Sequence, residues 1–159
     1  MSYTTTFSGT NVTASTKPVT PTSVGPVTNY AVLSDEPTQV VTDNKTCPLS
    51  KGEKITYMYS DLKKVSTTLD IQNPAPVQTG VQYVVKIEAI ATTTSTTDAT
   101  YRVDEPVVAY LTVRHQKSGN ITNDMVAQLV NRMLGAARTE AGEWRFNDLM
   151  RGSLRPTAN

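Results

Sequence analysis

The last third of the chain limits the fold more than any other part. Glu105-Pro106-Val107-Val108-Ala109-Tyr110-Leu111-Thr112-Val113-Arg114-His115 is rich in β-branched residues and reads as one long strand. A short turn over Gln116–Asn120 follows. The pattern then predicts an amphipathic helix from about Thr122 to Ala141 and a shorter one from about Trp144 to Arg155. Everything before Glu105 is threonine-rich and β-like. Strands first and helices last predict a segregated α+β plan, not alternating βαβ units.

The 159 residues suit one domain that buries its own core without covalent staples. A single domain over 1–159 is expected, with an arm or hairpin over 1–30, a sheet over 31–117 and two helices over 122–156. Only 18% of the residues are charged and the net charge is +1, so no global field draws the protein to a polyanion. Any attraction to nucleic acid must come from charges gathered on one face.

The single cysteine, Cys47, excludes an internal disulfide. A plain thiol is the favoured reading, and a bond between copies is the other. Met1–Phe7 lacks a basic region followed by an apolar run, so no secretion signal is expected. No stretch has the length of a membrane helix, so no membrane partner is expected.

Residues 1–30 hold nine threonines, three prolines and one charge, Lys17. Scattered Tyr3, Phe7, Val12, Val19, Val24 and Val27 favour a hairpin or docked arm over disorder. Pro18, Pro21 and Pro26 argue against a central strand in the second half of this segment. Weak strands are expected at Tyr30–Leu33 and Thr38–Thr42, and a further one at Val65–Ile71, stopped by Asn73-Pro74-Ala75-Pro76.

Two strands alternate clearly. In Lys54–Ser60, Ile55, Tyr57 and Tyr59 share one face, with Lys54, Thr56, Met58 and Ser60 on the other. In Tyr83–Ala91, Tyr83, Val85, Ile87 and Ala89 oppose Val84, Lys86, Glu88 and Ile90. Such a sheet buries its apolar face and exposes the mixed one. The polar run Thr92–Glu105 reads as a long connection, either a hairpin tip or a contact loop.

In the first helix Thr122 or Asn123 is placed to cap, with Asp124 in the first turn. Val126, Leu129, Val130, Met133, Leu134 and Ala137 form an apolar stripe, and Gly142 is a plausible stop. The second helix offers Phe146, Leu149, Met150 and, near its end before Pro156, Leu154. Arg132, Arg138, Arg145 and Arg151 are interspersed with Glu140, Glu143 and Asp148, so a solvated face is favoured over a nucleic-acid helix.

Catalytic patterns are close to absent. One His and one Cys cannot build a His/Cys metal cluster, and no phosphate-binding glycine loop or nucleophile elbow appears. Asp35-Glu36 and Asp104-Glu105 each adjoin a proline and read as solvated turn acids. His115 reads as a surface histidine before a general base. No metal, cofactor or enzymatic activity is expected.

Tyr83-Val84-Val85-Lys86-Ile87-Glu88, the polar loop, Glu105–Tyr110, Val113-Arg114-His115 and two helices occur in the serial order of the coat proteins of small single-stranded RNA bacteriophages, which the chain resembles over about residues 53–156. The resemblance implies an N-terminal hairpin, a five-stranded antiparallel sheet and two C-terminal helices. It further implies an intertwined homodimer, with the last strands paired into one continuous ten-stranded sheet and each chain's helices over the partner's sheet. An unprotected long strand edge fits that implication, since pairing with its own copy removes it.

Dimers of the family build an icosahedral shell in the host cytoplasm and package single-stranded genomic RNA in the virion. A maturation protein is a further partner. Binding of an RNA stem-loop represses translation of the replicase. By position the resemblance assigns Lys54 and Thr56, and Lys86 and Glu88, to the RNA-facing surface. Lysine supplies charge to phosphate, and Thr and Glu hydrogen-bond unstacked bases.

On the last strand Val113 and His115 stand where better-known members have a stacking aromatic and an amide. His115 is therefore carried as an RNA-binding candidate, and Arg114 is expected to face away unless a bulge intervenes. The loop Thr92–Glu105 matches the family's loop at the symmetry axes. Two other readings stay open: a dimeric RNA-binding repressor that forms no shell, and an extracellular adhesin- or pilin-like β protein.

Overall fold

The computed structural model describes residues 29–48, 52–94, 100, 102–139 and 141–152. The arm or hairpin expected over 1–30 therefore lies outside the described residues up to position 28. The described chain divides into two compact units, a sheet unit up to Ser118 and a helical unit from Gly119.

The sheet has five antiparallel strands in sequence order: β1 Tyr30–Glu36, β2 Gln39–Asn44, β3 Lys54–Leu62, β4 Gly80–Thr94 and β5 Arg102–Gln116. Five of the expected strands are present, each longer than its alternation alone indicated; the one expected at Val65–Ile71 is not. A shift between Val32 and Ser34 in the β1–β2 pairing is a one-residue bulge at Leu33, which bends the outer strand.

The β4–β5 ladder runs unbroken from Gly80↔Gln116 to Thr94↔Arg102. Much of the run read as a polar loop, Thr92–Glu105, is thus strand. Its threonines suit a pleated surface, and Thr92 Oγ1 donates to Asp104 Oδ1 at 2.5 Å across the pair. Residues 95–99 and 101 lie outside the described residues.

The strand expected at Val65–Ile71 does not form. That segment is irregular. Val65 N–H bonds Gln78 O at 3.0 Å, but Leu69 N–H is taken locally by Thr67 Oγ1 at 3.1 Å. A side chain that satisfies the backbone locally competes with a ladder, and Pro74 and Pro76 supply no donors.

Residues directly opposite in antiparallel strands share a face. The rows Ile55↔Ile87↔Ala109, Tyr57↔Val85↔Leu111 and Tyr59↔Tyr83↔Val113 make one face apolar. Ile55 is its deepest residue at 2% exposed. Tyr57, Tyr59 and Val107 of the same face remain exposed in the single chain.

At the sheet's outer edge Tyr30 is buried. Its hydroxyl donates to Glu53 Oε1, which also accepts from Asn44 Nδ2 at 3.2 Å. Burial first, and then the bond to Glu53, push the Tyr30 hydroxyl up to about 12.

In the helical unit, α1 spans Asn123–Ala136. Thr122 is the cap, its Oγ1 accepting Met125 N–H at 3.3 Å. The helix stops five residues before the expected Ala141. Beyond the helix Arg138 and Trp144 form a bridge, and Thr139 N–H bonds Glu143 O at 2.9 Å. Gly142 makes this turn possible at φ 84°, a left-handed value that side chains resist.

The second helix, α2, is correspondingly short at Phe146–Met150, against the expected Trp144–Arg155. Residues 153–159 lie outside the described residues. Of the apolar stripe on α1, Leu129 and Met133 remain exposed.

Two outcomes follow for stability. A Cβ at Gly80 would collide with Val65 Cγ2 and the His115 carbonyl oxygen, and backbone cannot yield as a side-chain tip does. Gly80→Ala is expected to lower stability by about 1–3 kcal/mol, read as a fall in denaturation midpoint.

The raised Tyr30 hydroxyl gives the second. An unfolded tyrosine ionises near 10, so the protonated hydroxyl stabilises the fold fully below that pH. The contribution is lost as pH rises through about 12. Tyr30→Phe is expected to be less stable at neutral pH, with a shallower decline between pH 10 and 12 in an alkaline denaturation series. An unchanged slope would contradict the linkage.

Candidate nucleic-acid face

The register fixes which side chains meet. Lys54 lies opposite Glu88, and Thr56 opposite Lys86. Lys86 lies opposite Tyr110, and Glu88 opposite Val108. Four of the five sequence-derived candidates, Lys54, Thr56, Lys86 and Glu88, therefore lie together on the mixed face of β3 and β4.

Lys86 Nζ pairs with Glu88 Oε1 at 2.8 Å and sits 5.7 Å from the centre of the Tyr110 ring. The hydrogen bond to Glu88 is the main cause that raises the Lys86 ammonium above the ordinary lysine value. Both side chains are partly open to solvent, and such a pair is worth little to stability. It holds the ammonium beside an aromatic ring that is 62% exposed.

Thr56 is buried at 7% exposure. It lies opposite Lys86 on the neighbouring strand and presents little of itself to a ligand.

His115 departs from the other four. It lies opposite Val81, packs edge-on to Tyr83 with ring centres 6.0 Å apart, and has Nδ1 2.9 Å from the Gln116 carbonyl oxygen. That is the apolar side of the sheet. The expectation that Arg114 faces away from the Lys86 side is likewise overturned. The β4–β5 ladder has no bulge, and period-2 alternation puts Tyr110, Thr112 and Arg114 with Lys86, and Val113 and His115 behind them. Arg114 Nε donates to Gln82 Oε1 at 2.5 Å on that mixed face.

Tyr110 and Arg114 thus share the candidate face with Lys86, and the sequence reading missed them. Counting alternation back from Glu88 through the hairpin partners would have found them.

The mixed face is balanced in charge. Lys54, Lys86 and Arg114 share it with Asp43, opposite Lys54, with Glu88, and with Asp104, opposite Thr92. This arrangement gives local phosphate contacts, hydrogen-bonding groups and one exposed ring. It does not give the broad basic field that steers a polyanion over long range.

Among the described residues no three His, Cys, Asp or Glu side chains gather as a metal site. No described helix is long and apolar enough to cross a membrane. An open groove of about 300 Å³, lined among others by Lys64, Val65, Leu69, Ile71 and Gln78, carries no pair of acid–base or nucleophilic groups suited to chemistry.

No protein-family model matches the chain, and no curated protein sequence does. Solved structures do. The protein of "Virus-like particle of bacteriophage AVE015" is similar with a TM-score of 0.87 and 24% identity, over 98% of this chain and 99% of that one. "Virus-like particle of bacteriophage GQ-112" follows at 0.80 and 12% identity, over 97% and 98%. "Virus-like particle of bacteriophage PQ-465" matches at 0.51 and 12%, over 82% and 94%. At these identities the likeness is one of fold. The five-stranded antiparallel sheet with C-terminal helices in this chain is the fold of proteins solved in bacteriophage virus-like particles.

Proposed function

We propose that this chain is the coat protein of a single-stranded RNA bacteriophage. It pairs with a second copy along β5, assembles into a closed icosahedral shell, and holds RNA against the mixed face of the sheet. The observation that carries the reading is the likeness, over nearly the whole of both chains, to a protein of a bacteriophage virus-like particle.

Two features of the chain support it. The 15-residue strand β5 stands at the sheet's edge, with Val107, Val108 and Tyr110 exposed. A long apolar edge is a template for another strand. Leu129 and Met133 of α1, and Trp144 and Phe146 after it, are exposed as well, which suits a chain whose helices are covered on assembly.

In this reading Lys54, Lys86 and Arg114 meet phosphates, Glu88 accepts from a base, and Tyr110 stacks one. His115 stays with the apolar face. A stem-loop held there would repress translation, and the balanced charge makes short-range contacts, not steering, its source of affinity. The virion is the protein's location, with assembly in the host cytoplasm.

Negative-stain microscopy and the 260/280 nm absorbance ratio of the protein expressed alone in bacteria test the reading. Uniform round particles containing RNA are expected. Soluble dimers without particles at any salt concentration would favour a repressor that forms no shell.

For the RNA face, Tyr110→Ala is expected to weaken RNA binding by about 1–3 kcal/mol. Lys86→Ala should reduce the salt dependence by roughly one ion's worth. His115→Ala should leave both unchanged. A binding loss with His115→Ala equal to that with Tyr110→Ala would contradict the assignment of faces.

A further inference from the structure

The backbone of β5 carries its own register code. Lys117 N–H donates to Thr79 O at 3.0 Å, one step beyond the Gly80↔Gln116 pair. Closely bonded pairs alternate along an antiparallel ladder, and this ladder has no shift. The odd-numbered residues of β5 therefore bond β4.

The opposite side of the sheet gives the same parity. Tyr59 N–H bonds Thr38 O and Asn44 N–H bonds Glu53 O, both at 2.9 Å, so odd residues of β3 bond β2. Even residues of β3 and β4 then bond each other, which leaves odd residues of β4 for odd residues of β5. The even-numbered residues of β5 turn both backbone groups to the open edge.

That edge is not uniform. Val108, Tyr110, Thr112 and Arg114 each offer a donor and an acceptor. Pro106 has no N–H and offers an acceptor alone. At the other end the Gln116 carbonyl already accepts Ser118 N–H at 2.9 Å, which leaves its N–H as the group still to be satisfied. A complete block of four residues is bounded by one residue without a donor and one whose acceptor is engaged.

We infer that β5 pairs with the β5 of a second copy in a single register, with the two-fold axis at Leu111, selected by Pro106 at one end and the Gln116 carbonyl at the other. The inference rests on the self-pairing proposed above and specifies its geometry. About this axis Tyr110 faces the partner's Thr112, and Val108 the partner's Arg114. Pro106 faces the partner's Gln116, where the missing donor meets the engaged acceptor and the remaining N–H and C=O bond each other.

Moving the axis to Tyr110 sets Pro106 against Arg114 and leaves that carbonyl without a donor. Moving it to Thr112 sets the Val108 N–H against the engaged Gln116 carbonyl. An odd step of register places outward groups against inward ones and makes no ladder. Side chains agree with the Leu111 axis: on the apolar face Leu111 meets its own copy, and the larger Val113 meets the smaller Ala109.

Single cysteines test the axis, in a Cys47→Ser background with oxidised glutathione. Leu111→Cys would face itself in a non-hydrogen-bonded pair, where Cα atoms lie about 4.5 Å apart, within disulfide reach. It is expected to run mostly as a disulfide dimer without reductant, while Tyr110→Cys and Thr112→Cys stay at least tenfold less crosslinked. The double variant Ala109→Cys/Val113→Cys covers the case in which Leu111→Cys fails to fold. Its cysteines are too far apart within one strand to bridge, and they should crosslink only between copies.

Preferential crosslinking at Tyr110→Cys or Thr112→Cys would overturn the register but leave the pairing. Dimers by light scattering with no crosslink in any variant would overturn the inference and leave self-assembly through another surface. Monomers throughout would overturn both.

Discussion

The rest of the structure depends on the β4–β5 ladder and on the edge it leaves open. Fifteen residues of β5 satisfy half their backbone groups against β4 and hold the other half outward. Among the described residues nothing bonds the outward groups of Val108, Tyr110, Thr112 and Arg114. Water can satisfy them in an isolated chain. The exposed Val107, Val108 and Tyr110 side chains nevertheless make this edge adhesive, and β-sheet proteins otherwise blunt such edges with charge, twist or cover. Between Val107 and Val113 this edge carries no such charge; Pro106 and the charged residues of β5 flank that stretch.

The same ladder decides what the mixed face can do. Because its register never slips, one parity governs every side chain from Gly80 to Gln116. Lys86, Glu88, Tyr110 and Arg114 come together, and His115 is sent to the apolar side beside Tyr83. A single bulge would have exchanged these sets. The face that results sets both lysines against carboxylates, Lys86 with Glu88 at 2.8 Å and Lys54 opposite both Asp43 and Glu88, while Arg114 donates to the Gln82 amide oxygen. On the proposed function, RNA recognition on such a surface would work by exchange: a phosphate or base replaces an internal partner. It is expected to be short-ranged and modest per subunit, and to gain strength from many copies in a shell.

Much of the fold was legible in the residues. The alternations in Lys54–Ser60 and Tyr83–Ala91 gave both strands and both faces, since a period of two has one physical cause. The cap was legible to within one residue, as Thr122 or Asn123, and Thr122 fills it. Three features were hidden. Thr92–Thr94 looked like loop because threonine serves strands and turns alike. Val65–Ile71 looked like strand because propensity does not register a local bond such as that from Leu69 N–H to Thr67 Oγ1. The end of α1 at Ala136 was set by the turn around Gly142, not by the apolar stripe, which continues through Ala137. For the site, matching Val113 and His115 by position carried a one-residue error of parity. In a strand that is enough to move a side chain through the sheet.

The most direct test of the central claim is residue-resolved hydrogen exchange along β5 in the assembled protein. If a second copy completes the edge, the amides of Val108, Tyr110, Thr112 and Arg114 exchange as slowly as those of Leu111 and Val113, which bond β4. Slow exchange at the odd positions with fast exchange at the even ones would show an edge open to water, and would contradict the account.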